Sequence, residues 1–346
     1  MHCHYKKYTL NFIKPGGTSR GVLKTKDTYF IFLEENGKTA IGECNRFINL
    51  SYDDKDNYEE ILNKVCRDLP EKKEAILTEL TEWPSIYFGV EMLLKDWRNG
   101  SQRILFPEVF KNGAFSVPIN GLIWMGEDSD MREQIDKKLA EGCNSIKLKI
   151  GALDFERELA LIQYIRKKHN KEEVEIRLDA NGAYSYEEAL EKLAILEEYG
   201  INYIEQPIAK GDWESMHKLI KNTSIKIALD EELIGIISET ERQELIDTIQ
   251  PDLLILKPAL IGGFSGSEDW KKRIRENGGD WIVTSALESN IGLNAIAQYV
   301  AKDSSDFSQG LGTGQLFSNN FPSPYEVKNN HIHYKKDQGW NLTKLI

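Results

Sequence analysis

The segment Ser145-Ile146-Lys147-Leu148-Lys149-Ile150 sets two lysines two residues apart in an apolar run. In a β-strand that spacing sends both side chains to one face. Five more apolar runs follow, each ending in polar residues: Arg177-Leu178-Asp179-Ala180-Asn181, Ile204-Glu205-Gln206-Pro207, Ala228-Leu229-Asp230-Glu231-Glu232, Ile255-Leu256-Lys257-Pro258 and Thr284-Ser285-Ala286-Leu287-Glu288-Ser289. From Asp179 to Glu205 is 26 residues, then 25 to Asp230, 27 to Lys257 and 28 to Ser285. Each interval holds one strand and one helix. In a parallel barrel this repeat brings all of these side chains to the C-terminal mouth, where barrel active sites lie. A charge at the end of a buried strand is costly unless it is paired or holds a metal. That cost, repeated on successive strands, marks a site.

Outward from this stretch the alternation persists. Strands are expected at Val117–Trp124, Ser145–Ile150, Val174–Ala180, Asn202–Pro207, Lys226–Glu231, Leu253–Pro258, Trp281–Leu287 and Gln309–Gly314. Amphipathic stretches between them, such as Phe155–His169, Ser185–Tyr199, Thr240–Ile249 and Gly292–Ala301, read as helices. Eight strands alternating with helices predict a parallel barrel. Before residue 114 the texture is mixed. Strands are expected at Tyr8–Ile13, Thr28–Leu33 and, after the Asn36-Gly37 turn, Lys38–Glu43, with a flexible loop over Pro15–Gly21. Helices follow at Tyr58–Leu69, Lys72–Leu80 and Ser85–Trp97, and His331–Tyr334 reads as one more strand near the C-terminus.

The 346 residues are 40% hydrophobic and 29% charged, enough for a large core. The formal charge is −11, which argues against nucleic acid or an anionic membrane as partner. Cys3, Cys44, Cys66 and Cys143 have no metal-knuckle spacing, and no run has the length and apolarity of a signal peptide or membrane span. Reduced thiols and a cytoplasmic protein are expected.

The residue types indicate chemistry. Asp179, Glu205 and Asp230 form an oxygen-only set suited to a hard divalent cation, most simply Mg²⁺. Lys147 and Lys149 precede this triad in strand order and Lys257 follows it, so around a closed barrel they face each other across the metal. Two opposed lysines beside a metal suit removal of a proton α to a carboxylate. Alone, a Lys-x-Lys pair is usually a solvated strand face and an Asp-x-Asn a turn. Their common spacing and order set this series apart.

Lys147-x-Lys149, Asp179-x-Asn181, Glu205-Gln206-Pro207, Asp230-Glu231 and Lys257-Pro258 together resemble the muconate-lactonizing subgroup of the enolase superfamily. Within it, Gly17–Leu23, Ser285–Ser289 and Gly310–Gln315 are similar to the o-succinylbenzoate synthase family. The resemblance implies an α/β fold: a modified TIM barrel, (β/α)₇β, over 114–314, with an α+β N-terminal capping domain over 1–113 completed by 315–346. It implies a Mg²⁺-dependent syn dehydration of 2-succinyl-6-hydroxy-2,4-cyclohexadiene-1-carboxylate, in menaquinone biosynthesis, with Mn²⁺ as a substitute cofactor. The partner is a small dicarboxylate substrate. Asp179, Glu205 and Asp230 are then metal ligands, Lys149 the base and acid, Lys257 the electrostatic partner, and Lys147 orients the carboxylate. Arg20, Ser285, Asn181 and the backbone at Gly262 are the expected substrate contacts. In the run Asp230-Glu231-Glu232 the metal ligand stays open among the three, with Glu232 a spare supporting carboxylate and Asp230 favoured because its strand position follows that of Asp179 and Glu205. N-succinylamino acid racemase and dipeptide epimerase are the alternatives on the same machinery, and a binding protein that kept the barrel is a third reading.

Overall fold

The computed structural model describes residues 1–18, 21–111, 113–303 and 307–346. The N-terminal unit begins with an antiparallel meander of β1 (His2–Thr18), β2 (Gly21–Glu35) and β3 (Lys38–Cys44). Two helices, α1 (Tyr58–Lys72) and α2 (Pro84–Arg98), pack on it. The run Tyr29-Phe30-Ile31-Phe32-Leu33 is buried throughout because β2 has two covered faces. Tyr29, Ile31 and Leu33 join Leu62, Val65 and Val90 in the core of this unit, while Phe30 and Phe32 join the main core with Phe88 and Met92. Helix α2 crosses β3 closely: a Cβ on Gly42 would lie 1.9 Å from the Gly89 carbonyl oxygen, so no larger residue fits.

Two expectations need correction here. The stretch Pro15–Gly21 was expected to be a loop, but Gly16 pairs with Leu23, Gly17 with Val22 and Thr18 with Gly21 after a register shift, so the strand pairing extends to Thr18 and Gly21, while residues 19 and 20 lie outside the described residues. Residues 72–80 do not form an α-helix. Lys73 adopts a left-handed φ of 49°, which ends α1, and Lys73–Glu79 winds as a 3₁₀ turn.

The second unit starts with the short strands β4 (Ser116–Pro118) and β5 (Gly121–Ile123), split versions of the single strand expected there. Then α3 (Asp128–Ala140), β6 (Ser145–Lys149), α4 (Phe155–Lys168), β7 (Glu175–Asp179), α5 (Tyr186–Leu196), β8 (Ile201–Glu205), α6 (Trp213–Lys221) and β9 (Lys226–Leu229) alternate. The pattern continues through α7 (Glu239–Ile249), β10 (Leu253–Leu256), α8 (Gly263–Glu276), β11 (Asp280–Val283) and α9 (Asn290–Lys302). Strands β5 to β11 lie in sequence order in one parallel sheet. Gln309-Gly310 joins its two edges, bridging Ile119 on one side and Thr284 on the other. Its hydrogen bonds run from Gln309 N to Pro118 O (2.8 Å) and from Gly310 N to Val283 O (2.9 Å). The barrel is therefore a (β/α)₇β closure, but its eighth strand is much shorter than expected, because Gly312–Gln315 turns into a 3₁₀ helix.

After the barrel, the chain returns to the N-terminal unit. Phe317 bridges Phe12, and the Lys6 ammonium donates to Leu345 O at 2.9 Å. Strand β12 (Tyr325–Lys328) pairs with β13 (His331–Tyr334), which in turn pairs with β4.

Buried glutamates from the cap fasten the two units. Glu43 of β3 accepts hydrogen bonds from Ser289 N (3.0 Å), Ser289 Oγ (2.6 Å) and Gly292 N (2.8 Å) at the start of α9. Glu91 of α2 accepts from Phe264 N (2.6 Å) and Ser265 Oγ (2.6 Å) at the start of α8. Each carboxylate satisfies amides that a helix leaves unpaired at its N-terminus, where the helix dipole favours negative charge. Glu43→Gln and Glu91→Gln turn an amide toward these donors, and each should lower stability by about 1–3 kcal/mol in urea titrations. Unchanged midpoints would contradict this account of the joint.

Asp53 plays the same part within the cap, accepting from Ser85 N at 2.8 Å and Ser85 Oγ at 2.7 Å at the start of α2. Burial pushes its carboxyl up to about 6 despite these bonds. An unfolded carboxyl titrates near about 4, so the folded state holds the extra proton. The stability from this group is complete below about pH 4 and is lost as pH rises through about 6. Wild type should therefore lose ground to Asp53→Asn by about 2–3 kcal/mol between pH 4 and pH 7. Denaturant melts at the two pH values measure this, and a constant difference would refute it.

Candidate active site

The register of the sheet sets Lys149 beside Asp179 and Asp179 beside Glu205. Alternation along each strand then carries Lys147 and Lys149 to the same side as Asp179 and Glu205. Below this charged layer the barrel is filled by Tyr203, Ala228, Leu253, Ile255 and Ile282, a separate apolar cluster. The chain leaves two neighbouring strands through left-handed residues, Asn181 (φ 46°) and Gln206 (φ 41°). The Gln206 side chain clasps the next strand end, accepting from Asp230 N (3.2 Å) and Glu232 N (3.3 Å).

The mouth is a dense ionic cluster. The Lys147 ammonium lies between Glu205, to which it donates, and Asp179 at 3.1 Å. Lys149 donates to Asp179 Oδ2 at 2.9 Å and to Asn181 Oδ1 at 2.8 Å. Lys257 donates to Asp230, and Asn181 Nδ2 donates to Glu231 Oε1 at 3.0 Å. Asp179, Glu205 and Asp230 are 2% exposed or less. Burial favours the neutral form of Asp179, but the charges of Lys147, Lys149 and Lys257 outweigh it and hold the carboxyl well below its ordinary range. Burial and the Asp179 charge push Glu205 up. Burial also works against the ammoniums of Lys147 and Lys257. The neighbouring carboxylates prevail and raise both above the usual lysine value, chiefly Asp179 and Glu205 for Lys147 and Asp230 for Lys257.

Two observations bear on a cation. Glu205 Oε1 and Asp230 Oδ1 are buried without a hydrogen-bond partner. Asp179, Glu205, Asp230 and Glu231 also outnumber the ammoniums of Lys147, Lys149 and Lys257. Hard oxygens with unused lone pairs and excess negative charge fit a divalent ion. Among the described residues no three acidic, histidine or cysteine groups already converge as a cage, because the ammoniums lie between the carboxylates.

Over the mouth is a cavity of about 350 Å³, roofed by cap residues including Leu23, Lys26 and Phe47. Lys147, Lys149, Asp179, Asn181, Lys257 and Ser285 all line it, with Trp124 and Thr313 on the barrel side. Ser285 Oγ donates to Glu288 and accepts from Thr313 Oγ1 at 2.8 Å. Gly262 does not reach this wall. It opens α8 with a left-handed φ of 92°, next to Arg242. Arg20 lies outside the described residues.

The segment after β9 also needs correction. Glu232 points away from the mouth, accepting from Trp213 Nε1 (2.7 Å), Gly211 N (2.8 Å) and Gln206 Nε2 (3.1 Å). The additional carboxylate at the cavity is Glu231, which the sequence had left open as a metal candidate beside the favoured Asp230. Lys26 and Asn45 were missed altogether. Glu232→Ala would orphan three donors and should cost about 2–4 kcal/mol of stability, measured by calorimetry. An unchanged melting temperature would show that these bonds carry no weight.

The family model of enolase C-terminal domain-like proteins matches residues 130–343, more than half of the chain. A curated o-succinylbenzoate synthase from Desulfotalea psychrophila is 40% identical, over 94% of this chain and 97% of its own length. The crystal structure of MenC from Desulfotalea psychrophila LSv54 superposes with a TM-score of 0.85 at 36% identity, covering 96% of this chain and 99% of that one. A dipeptide epimerase from Enterococcus faecalis V583, complexed with Mg and the dipeptide L-Leu-L-Tyr, shares the fold with a TM-score of 0.83 at 17% identity, over 99% of this chain and 98% of that one. The alternating barrel, its antiparallel cap and these similarities lead to one conclusion: the chain belongs to the enolase superfamily, in its enolase C-terminal domain-like family.

Proposed function

We propose that this chain is an o-succinylbenzoate synthase, a lyase that dehydrates 2-succinyl-6-hydroxy-2,4-cyclohexadiene-1-carboxylate to 2-succinylbenzoate in menaquinone biosynthesis. The observation that carries this reading is the 40% identity to a curated o-succinylbenzoate synthase along nearly the whole of both chains. In this reading residues 1–113 and 315–346 form the cap, 114–314 the catalytic barrel, and the enzyme works in the cytoplasm.

Asp179, Glu205 and Asp230 would hold Mg²⁺, or Mn²⁺ in its place. When bound, the ion would neutralise negative charge building on the ring carboxylate. The unpartnered Glu205 Oε1 and Asp230 Oδ1 support this assignment. Lys149 takes the proton from the carbon bearing that carboxylate. The electron pair released expels hydroxide from the adjacent carbon, and the proton on Lys149 leaves with it as water from the same face. Lys257 remains an ammonium on the opposite face and stabilises the flattened, negatively charged intermediate. Asp230 beside it supports that permanent charge. Lys147 orients the carboxylate, while Asn181 keeps Lys149 aimed through its 2.8 Å bond.

Purified protein with Mg²⁺ should remove the ultraviolet absorbance of the cyclohexadiene. Lys149→Ala should lower kcat by at least about a thousandfold and retain the Mg²⁺-dependent rise in melting temperature. Asp230→Asn should lose both. No turnover by wild type with intact metal binding would overturn the assignment. Deuterium uptake at Cα of N-succinylamino acids or dipeptides in D₂O would then identify racemase or epimerase chemistry on the same lysines.

A further inference from the structure

The proposed substrate carries two carboxylates, and the lysine cluster accounts for only one of them. The other must sit toward the roof of the cavity. Two cap cations line that region among the described residues, Lys26 and Arg46. Arg46 is committed elsewhere: its guanidinium lies 3.6 Å from Asp54 and 4.8 Å from the centre of the Tyr58 ring. Asp27, also on the wall, is taken by Lys7 at 2.8 Å and Thr9 at 2.6 Å.

Lys26 differs. It shares a face of β2 with Thr28, Phe30 and Phe32, so it points toward the barrel, and it is only 7% exposed. Its ammonium donates to Asn45 Oδ1, a neutral acceptor, and forms no ion pair within contact distance among the described residues. Asn45 is itself fixed, donating to Glu288 Oε1 at 2.8 Å and Ala286 O at 2.9 Å. Glu43 and Glu288 act on Lys26 from nearby. Their oxygens, however, are occupied by Thr28, Ser289 and Gly292 in one case and by Asn45 and Ser285 in the other. Burial lowers the proton affinity of Lys26, and the charges of Glu43, Glu288 and Asp27 oppose that effect. An ammonium buried without a contacting anion, at a cavity wall, is an unfinished ion pair. Ser285 cannot finish the job, because its proton is given to Glu288.

We propose that Lys26 binds the terminal carboxylate of the succinyl arm and so gives the site its preference for dicarboxylates. This rests on the assignment above.

The test compares Kd values of 2-succinylbenzoate and 2-butyrylbenzoate, in which a methyl replaces the terminal carboxylate, on the Mg²⁺-loaded protein. Wild type should prefer the dicarboxylate by at least about tenfold, as a charge-assisted contact allows. Lys26→Met should reduce that preference to about twofold or less and leave 2-butyrylbenzoate affinity unchanged. If this variant does not fold, Lys26→Gln, which keeps a donor for Asn45, gives the same readout. Equal binding of both ligands by wild type, a preference retained in the variant, or an equal loss for both ligands would each overturn the proposal. Failure of the dehydration itself would show separately, as wild type that binds both ligands without turning over the cyclohexadiene.

Discussion

The active cavity exists because two buried carboxylates of the cap are satisfied by the N-termini of two barrel helices. Glu91 and Glu43 are buried, so their charge is tolerable only while α8 and α9 present amide hydrogens. The docking is therefore specific in orientation as well as favourable. A cap rotated by one residue would leave two buried anions and several helix amides unpaired. Apolar packing, as where Phe88 meets Phe264 at 5.3 Å between ring centroids, adds adhesion, but the glutamates set the register.

That register holds the cap over the ionic cluster. In water, charges such as Lys149 and Asp179 would interact weakly; where burial lowers the effective dielectric each contact strengthens. The same burial makes the excess carboxylate charge intolerable without a counter-ion. The mouth is thus organised around electrostatic need, with ammoniums and carboxylates interleaved so that no like pair stands alone.

Much of this was legible in the sequence, for a reason rooted in the architecture. A barrel repeats its strand-to-strand interval, so residues at equal spacing end at equal height, and Lys147, Lys149, Asp179, Glu205, Asp230 and Lys257 obeyed that rule. What escaped depended on contacts between distant segments. Gly262 was an expected substrate contact, yet it caps α8 beside Arg242 rather than lining the cavity. The choice between Glu231 and Glu232 is decided by Trp213 and Gly211, which no local pattern links to the end of β9. Lys26 did leave a trace, as a lysine on the strand face that also carries Phe30 and Phe32. It became meaningful only once that face was seen to roof the barrel.

The barrel seam consists of Gln309-Gly310, with β5 at one edge and β11 at the other. A Cβ on Gly310 would lie 2.1 Å from Thr284 Oγ1, so this seam admits glycine alone at that position. The two edges it joins, at Gly121–Ile123 and Asp280–Val283, are separated by nearly half of the polypeptide. During synthesis from the N-terminus, every barrel unit must leave the ribosome before the ring can shut, and Phe317, which latches the cap strand, emerges later still. Until then the half-built sheet carries two open edges, the kind of surface that pairs with other chains. The last tenth of the chain is thus what ends this protein's exposure to aggregation while it is being made.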